Sequence, residues 1–191
     1  QYATFSDLAW THLTEWRSIV AGAFNPQQMR AELSAISLVK IDYSSTTTPR
    51  HSGLSQALLF VSWLAEKLNW TPVSRLRESN PGQYFGKFSN SGREIDVVVS
   101  PSTAASDSRG GMEAVVIQTR SNLTLRFGAT GQAGCVRFTK HSAASSPDEM
   151  LTVLRKRSET LLVAEELEVN FRDSGYEAAL HMFTQSCTPP A

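Results

Sequence analysis

The sequence predicts an α+β fold: a mostly antiparallel sheet packed by helices, with a helical C-terminal lobe. Three observations carry that prediction. Two segments, Asp7 to Phe24 and Leu54 to Leu68, repeat apolar residues every three or four positions, the period of an amphipathic helix. Between Thr71 and Lys140 the period shortens to two, and Gly, Asn and Ser punctuate the runs, as in strands joined by turns. From Ser146 onward, helix-capping signatures precede further helical patterns.

In the first segment Trp10, Leu13, Trp16, Val20 and Phe24 draw one apolar stripe. Asn25-Pro26-Gln27-Gln28 then offers an N-cap, a proline at the first helical position and a Gln three residues after the cap, which predicts a short helix through Leu33. Ile36, Leu38, Val39 and Ile41 read as a strand, and the polar run Ser44 to Thr48 with Pro49 ends it. In the second long helix Leu54, Leu58, Val61, Leu64 and Leu68 form one stripe, while Phe60 and Trp63 make the opposite side apolar. Such a helix is expected to be buried on two sides, one of them against a sheet.

Tyr84 to Phe88 and Ile95 to Val99 flank Ser89-Asn90-Ser91-Gly92, a hairpin turn. After the Ser- and Gly-rich loop Pro101 to Gly111 come Met112 to Thr119, then Leu123, Leu125 and Phe127 alternating with Thr124 and Arg126. That alternation predicts one buried and one wet face, the habit of an antiparallel sheet. Val136 and Phe138 mark a further strand ending near His141. Ser146-Pro147-Asp148-Glu149 has the form of a capping box and predicts a helix through about Arg157. Leu161, Ala164 and Leu167 mark another helix, and Ser174-Gly175-Tyr176-Glu177 caps a last one that includes Ala178, Leu180, Met182 and Phe183. The expected organisation is a core over 1–145, a helical lobe of the same domain over 146–185 and a tail over 186–191.

A chain of 191 residues can bury one good core. Its formal net charge of +0 gives no electrostatic case for nucleic acid. No apolar run approaches the roughly 20 residues that span a bilayer, because Ser55, Gln56, Ser62, Glu66 and Lys67 interrupt the most apolar helix; no membrane partner is expected. No secretory signal is visible, and a start at Gln1 reads as a processed chain or a fragment of a longer one. The two cysteines, Cys135 and Cys187, have no metal-type spacing, and so few thiols suggest a reducing, cytoplasmic compartment.

The stretch Arg126 to Cys135 places Gly128, Gly131 and Gly134 in a G-x-x-G-x-x-G spacing after an apolar run. A nucleotide cradle would need a helix immediately afterwards, whose N-terminal N–H groups hold the phosphates. The following Cys135-Val136-Arg137-Phe138-Thr139 alternates at period two, so the favoured reading is a hairpin, with a nucleotide-binding oxidoreductase as the alternative. His12, His51, His141 and His181 are scattered and form no zinc motif, and no nucleophile elbow, Walker loop or Cys-x-x-Cys is present. Glu165-Glu166-Leu167-Glu168 and Arg155-Lys156-Arg157 read as solvated helix faces, the second also as a dock for an acidic partner. Arg50 with His51, or Arg75 with Arg77, could bind a sugar phosphate in a sensing domain. Packing should absorb most of Trp10, Trp16, Trp63 and Trp70, and an exposed one would be an interface anchor.

Several stretches together resemble one family. DLAWTHLTEWRSIVAGAF (Asp7 to Phe24), ALLFVSWLAEKLNW (Ala57 to Trp70) and ETLLVAEELEVNFRDSGYEAAL (Glu159 to Leu180) are similar, in the same order, to segments of OpcA, the glucose-6-phosphate dehydrogenase assembly proteins of cyanobacteria and actinobacteria. The chain resembles their C-terminal portion. The resemblance implies no catalysis and no cofactor. It implies a cytoplasmic effector that binds glucose-6-phosphate dehydrogenase, promotes its active oligomer and so supports NADPH production in the oxidative pentose phosphate pathway. It also implies redox control, with thioredoxin as the reductant. Within this chain that points to Cys135 and Cys187: a mobile tail carrying Cys187 could close onto Cys135 beside the glycine turn, the alternative being a half-buried Cys135 and an inert Cys187.

Overall fold

The apolar stripe of the first segment forms helix α1 (Leu8–Ala23), with Trp10, Leu13, Trp16, Val20 and Phe24 all buried. A computed structural model describes residues 8–44, 53–102, 111–130, 135–143, 145–153 and 173–187. After α1 comes a single turn, α2 (Gln27–Arg30), which continues as a 3₁₀ helix to Ala35. The expected side-chain cap is not made here: the residue before the turn is Pro26 and no side chain caps it. Strand β1 (Ile36–Tyr43) follows, then helix α3 (Gly53–Lys67).

Strands β2 (Thr71–Asn80), β3 (Gln83–Asn90), β4 (Arg93–Pro101), β5 (Met112–Thr119), β6 (Thr124–Ala129), β7 (Cys135–Ser142) and β8 (Ser145–Val153) come next, and helix α4 (Ser174–Ser186) ends the described chain. They form one sheet in the order β2-β3-β4-β1-β5-β6-β7-β8. All neighbours are antiparallel except β1 and β4, which run parallel with Val39 opposite Val97 and Ile41 opposite Val99. The β3–β4 hairpin turns at Ser91 and Gly92, both with positive φ, as a tight two-residue turn matching strand twist requires.

Burial alternates along the strands, so one face of the sheet is core. Val39, Ile41, Ile95, Val97, Val99, Val115, Ile117, Leu125, Phe127 and Val136 are each at most 1 % exposed and fall on that face by register. Helix α3 lies on it, against β1, β4 and β5, and α1 and α4 flank α3. This explains why α3 is apolar on two sides: Leu58, Phe60, Val61 and Leu64 are all buried, and even Ser62 is enclosed, its hydroxyl donating to the Leu58 carbonyl at 2.9 Å. Each large apolar side chain so enclosed contributes roughly 1.5–3 kcal/mol relative to exposure.

The start of α3 is fixed by a close backbone approach. A Cβ at Gly53 would lie 2.5 Å from the Gly111 carbonyl oxygen and 3.0 Å from that of Ser44. The buried Gln56 side chain, one turn on, accepts from the Met112 N–H at 3.3 Å and so ties α3 to the first residue of β5. At the other end of the fold Asp173 caps α4, accepting from the N–H groups of Gly175 and Tyr176, one residue before the capping serine expected from sequence. The same carboxylate accepts from the Trp10 indole N–H at 2.7 Å, the Tyr176 ring lies 5.4 Å from Trp10, and the Arg17 guanidinium stacks 3.7 Å over the indole. Four residues thus lock α1 to α4. Burial alone would push the Asp173 carboxyl up, but the bonds from Trp10, Tyr176 and Gly175, with the Arg17 charge, hold it below the usual carboxylate range.

The segment from Ser146 corrects a sequence expectation. Ser146-Pro147-Asp148-Glu149 lies in strand β8 instead of opening a helix, pairing Asp148 with Lys140, Glu149 with Thr139 and Met150 with Phe138. The free edge of β7 supplies a full ladder of hydrogen bonds, which outweighs a local capping signal, and Pro147 is tolerated because β8 is an edge strand. The helices expected at Arg155 to Arg157 and at Leu161 to Glu168 fall outside the described residues.

Replacing Gly53 by Ala should destabilise the fold by about 1–3 kcal/mol, since backbone atoms must give way, and urea denaturation measures it. Asp173→Ala should cost about 1–2 kcal/mol at pH 7. The folded Asp173 carboxyl is held below its unfolded value, so its contribution is complete above about pH 4 and fades as the pH falls further; the gap between the two proteins in denaturation experiments should close in acid.

Candidate functional site

The glycine loop that raised the nucleotide alternative closes a hairpin. Gly128 lies within β6 opposite Arg137, Ala129 pairs with Val136, and the Thr130 N–H donates to the Cys135 carbonyl at 3.0 Å. A strand follows the loop where a phosphate cradle requires a helix N-terminus. Gly131 and Gly134 lie outside the described residues.

The two sequence-predicted redox residues sit far apart. Cys187 is no free tail: it is 4 % exposed, its N–H donates to the Phe183 carbonyl at 2.8 Å, and it makes a parallel bridge with Leu76 of β2. Desolvation pushes its thiol up to about 11, opposed only by a weak contact with the Ser186 hydroxyl at 3.8 Å. Ala179, Phe183 and Cys187, spaced by four, extend the packed face of α4 into the cysteine, a periodicity that could have placed it in the core from sequence. Cys135 is half-buried at the start of β7. Strands β2 and β7 stand six positions apart in the sheet, about 29 Å at ~4.8 Å per strand. A disulfide needs Cα atoms within about 4.4–6.8 Å, so the expected closure of Cys187 onto Cys135 does not fit this fold, and both thiols are free.

The cation candidates are only in part brought together. Arg75 and Arg77 are exposed on edge strand β2 and line a shallow groove of about 500 Å³ with Val73, Glu78 and Phe85. The Glu78 carboxylate is turned aside, accepting from the Gly82 N–H at 2.6 Å. Arg50, His51 and Arg155 to Arg157 lie outside the described residues. Among the described residues no group of three or more His, Cys, Asp or Glu side chains is placed to hold a metal ion, and no helix is long and apolar enough to cross a membrane. Trp10, Trp16 and Trp70 are buried, and the partly buried Trp63 packs on Phe60 at 5.2 Å, so none of the four is an exposed anchor.

What sequence reading left open is the extent of the sheet's second, wet face. Opposite the helices, the register aligns Arg77, Phe85, Val98, Lys40, Val116, Arg126, Thr139 and Glu149 in a single row across all eight strands. Phe85 is 39 % exposed, and Arg77, Arg126 and Glu149 are exposed. Lys40 pairs with Asp42 at 3.2 Å, Lys87 with Glu94 at 2.7 Å, and Arg137 with Glu149 at 3.0 Å, all on this face. The alternation of β4 to β6 carried the signal for a wet face; its extent needed the strand order.

Residues 3–180 match the family described as the C-terminal domain of the glucose-6-phosphate dehydrogenase subunit. A protein of Nostoc punctiforme named as OxPP cycle protein OpcA is 29 % identical over 187 residues, covering 92 % of this chain and 38 % of its own length. A Synechocystis protein of the same name is 35 % identical over 79 residues, 41 % of this chain and 15 % of that protein. The chain thus spans well under half the length of these relatives. Among solved structures, an oxidoreductase from Bacillus cereus is similar with a TM-score of 0.43 at 10 % identity, covering 95 % of this chain and 67 % of that one. A dehydrogenase (MviM) from Clostridium difficile has a TM-score of 0.42 at 11 % identity, covering 85 % and 58 %. Likeness at that level bears on neither activity nor ligand.

The two thiols should differ sharply toward a thiol reagent at pH 8. Cys135 should react in the native protein within minutes, while Cys187 should be protected by at least about a hundredfold and react only on unfolding. Counting labelled cysteines by mass against time, with and without denaturant, checks it; equal rates in the native state would contradict the burial of Cys187.

Proposed function

The chain belongs to the OpcA family, whose glucose-6-phosphate dehydrogenase-associated C-terminal domain spans residues 3–180 here, and we propose on that basis that it is a non-catalytic effector of glucose-6-phosphate dehydrogenase. In this reading it works in the cytoplasm, binds the dehydrogenase, shifts it toward an active assembly and raises its response to substrate. The family match along nearly the whole chain is the observation that carries the proposal. A neutral chain with a broad, exposed sheet face is compatible with protein recognition, where shape and local charge set the partner. To act as an effector it must bind the active form of the dehydrogenase more tightly than the inactive one, because only differential affinity moves an equilibrium.

Redox control belongs to the same proposal, in a form altered by the geometry. Of the two thiols, the half-buried Cys135 is the candidate for a disulfide with a thiol of a second molecule, the two electrons and two protons passing to a peroxide that leaves as water and alcohol or as two waters; reduction by thioredoxin would return both thiols while its own dithiol becomes a disulfide. The buried Cys187, with its raised thiol, is assigned a packing role.

The test is dehydrogenase activity at subsaturating substrate, with and without the protein, after oxidation and after thiol reduction. Activation should appear, should differ between the two redox states, and should lose that difference in Cys135→Ser but keep it in Cys187→Ser. No activation in any state would overturn the effector role. Activation with the redox difference intact in Cys135→Ser would keep that role and remove Cys135 from the switch.

A further inference from the structure

We infer that the exposed face of the sheet is a self-association surface, on which a second copy of this chain packs sheet to sheet. The inference stands apart from the dehydrogenase reading and rests on register, charge and size.

Among the described residues all three long helices lie on the other face, and the eight-residue row crosses this one from edge to edge. Its two ends differ: cations dominate at β2, whereas at β8 a carboxylate stands paired with Arg137 through one oxygen. At the β2 end, Arg75 and Arg77 enter no ion pair among the described residues and stand beside the exposed Val73 and Phe85. At the β8 end stands Glu149, with Leu151 63 % exposed on the same face. The middle, Val98, Lys40 and Val116, is partly apolar and partly buried already.

A two-fold axis parallel to the strands and running between β1 and β5 would set β2 over the second copy's β8, β4 over its β6 and β1 over its β5. Arg77 then meets Glu149, Val98 meets Arg126 with Asp96 one row away, and Lys40 meets Val116. Every contact is made twice, as an isologous interface requires. Glu149 binds Arg137 through one carboxylate oxygen, Oε1, which leaves the other for Arg77. Eight strands span about 38 Å, and six residues of each about 20 Å, so the face offers on the order of 750 Å² per copy. A stable interface needs about 800 Å² per partner, and aligned sheets pack about 10 Å apart through such side chains.

The experiment is analytical ultracentrifugation of the 191-residue protein from about 1 to 100 μM. The wild type should sediment at twice the 21.0 kDa chain mass at the upper end. Val116→Arg and Val98→Arg place like charge against the second copy's Lys40 and Arg126, and each should raise the dissociation constant on the order of a hundredfold with the far-UV circular dichroism unchanged. Arg77→Glu should weaken the dimer, and Arg77→Glu with Glu149→Arg should recover it by at least about tenfold; the two positions lie on opposite edge strands of one copy, so only the second copy can restore the pairing. A wild type that stays monomeric throughout overturns the inference, as do variants that dimerise as well as the wild type. So does a monomer whose β4, β1 and β5 amides gain hydrogen-exchange protection only when glucose-6-phosphate dehydrogenase is added, which would give the face to that enzyme instead.

Discussion

The parallel pairing of β1 with β4 at the centre of the sheet constrains everything else. Parallel neighbours cannot be joined by a tight turn, so the chain leaving Tyr43 must cross the sheet before it can return at Arg93. Helix α3 makes that crossing and the β2–β3 hairpin completes it, which places both hairpin strands on the far side of β4. Once α3 occupies one face, α1 and α4 gain most by packing beside it, and the helical mass collects on that side. The opposite face is left to period-two positions that the sequence fills with charged residues around a partly apolar middle.

The helical side is held together by different means at its two ends. Near the start of α3 the fixing is steric, Gly53 against the Gly111 and Ser44 carbonyls, with one buried amide from Gln56. At the junction of α1 and α4 it is polar and aromatic: Asp173 serves at once as helix cap, indole acceptor and counter-ion to a desolvated arginine. A third fastening lies at the edge of β5, where the Arg120 guanidinium donates to the Ile36 carbonyl at 2.9 Å and to the Glu94 carbonyl, bridging the N-terminal ends of the two parallel strands. All three fastenings act by positioning backbone and helices.

Their places in the fold give the two cysteines different reactivity. A thiol at 4 % exposure with its ionisation pushed up to about 11 is a poor nucleophile at neutral pH, whatever its distance from the chain end. A half-buried thiol at the mouth of a hairpin can meet another molecule, and six strands of sheet keep the two from meeting each other.

Apart from β2, whose Thr71 to Asn80 run carries no apolar alternation, the sequence by itself determined which segments are helical at α1, α3 and α4 and which are strands between Tyr84 and His141. There the hydrophobic period is long and uninterrupted, and local backbone preference agrees with burial. It also carried the family resemblance, because that rests on the residues of three stretches in order, Asp7 to Phe24, Ala57 to Trp70 and Glu159 to Leu180. It misplaced Ser146 to Val153, because a capping box is a local signal worth about 1 kcal/mol, and the free edge of β7, invisible in sequence, offered more. It left Cys187 on a tail, since being near the end of a chain says nothing of what the chain end docks on. Strand order, the parallel pair, the capping residue Asp173 with its bond to Trp10 across 163 residues, and the row from Arg77 to Glu149 were decided by tertiary structure alone. Each depends on which surfaces meet, and no periodicity encodes that.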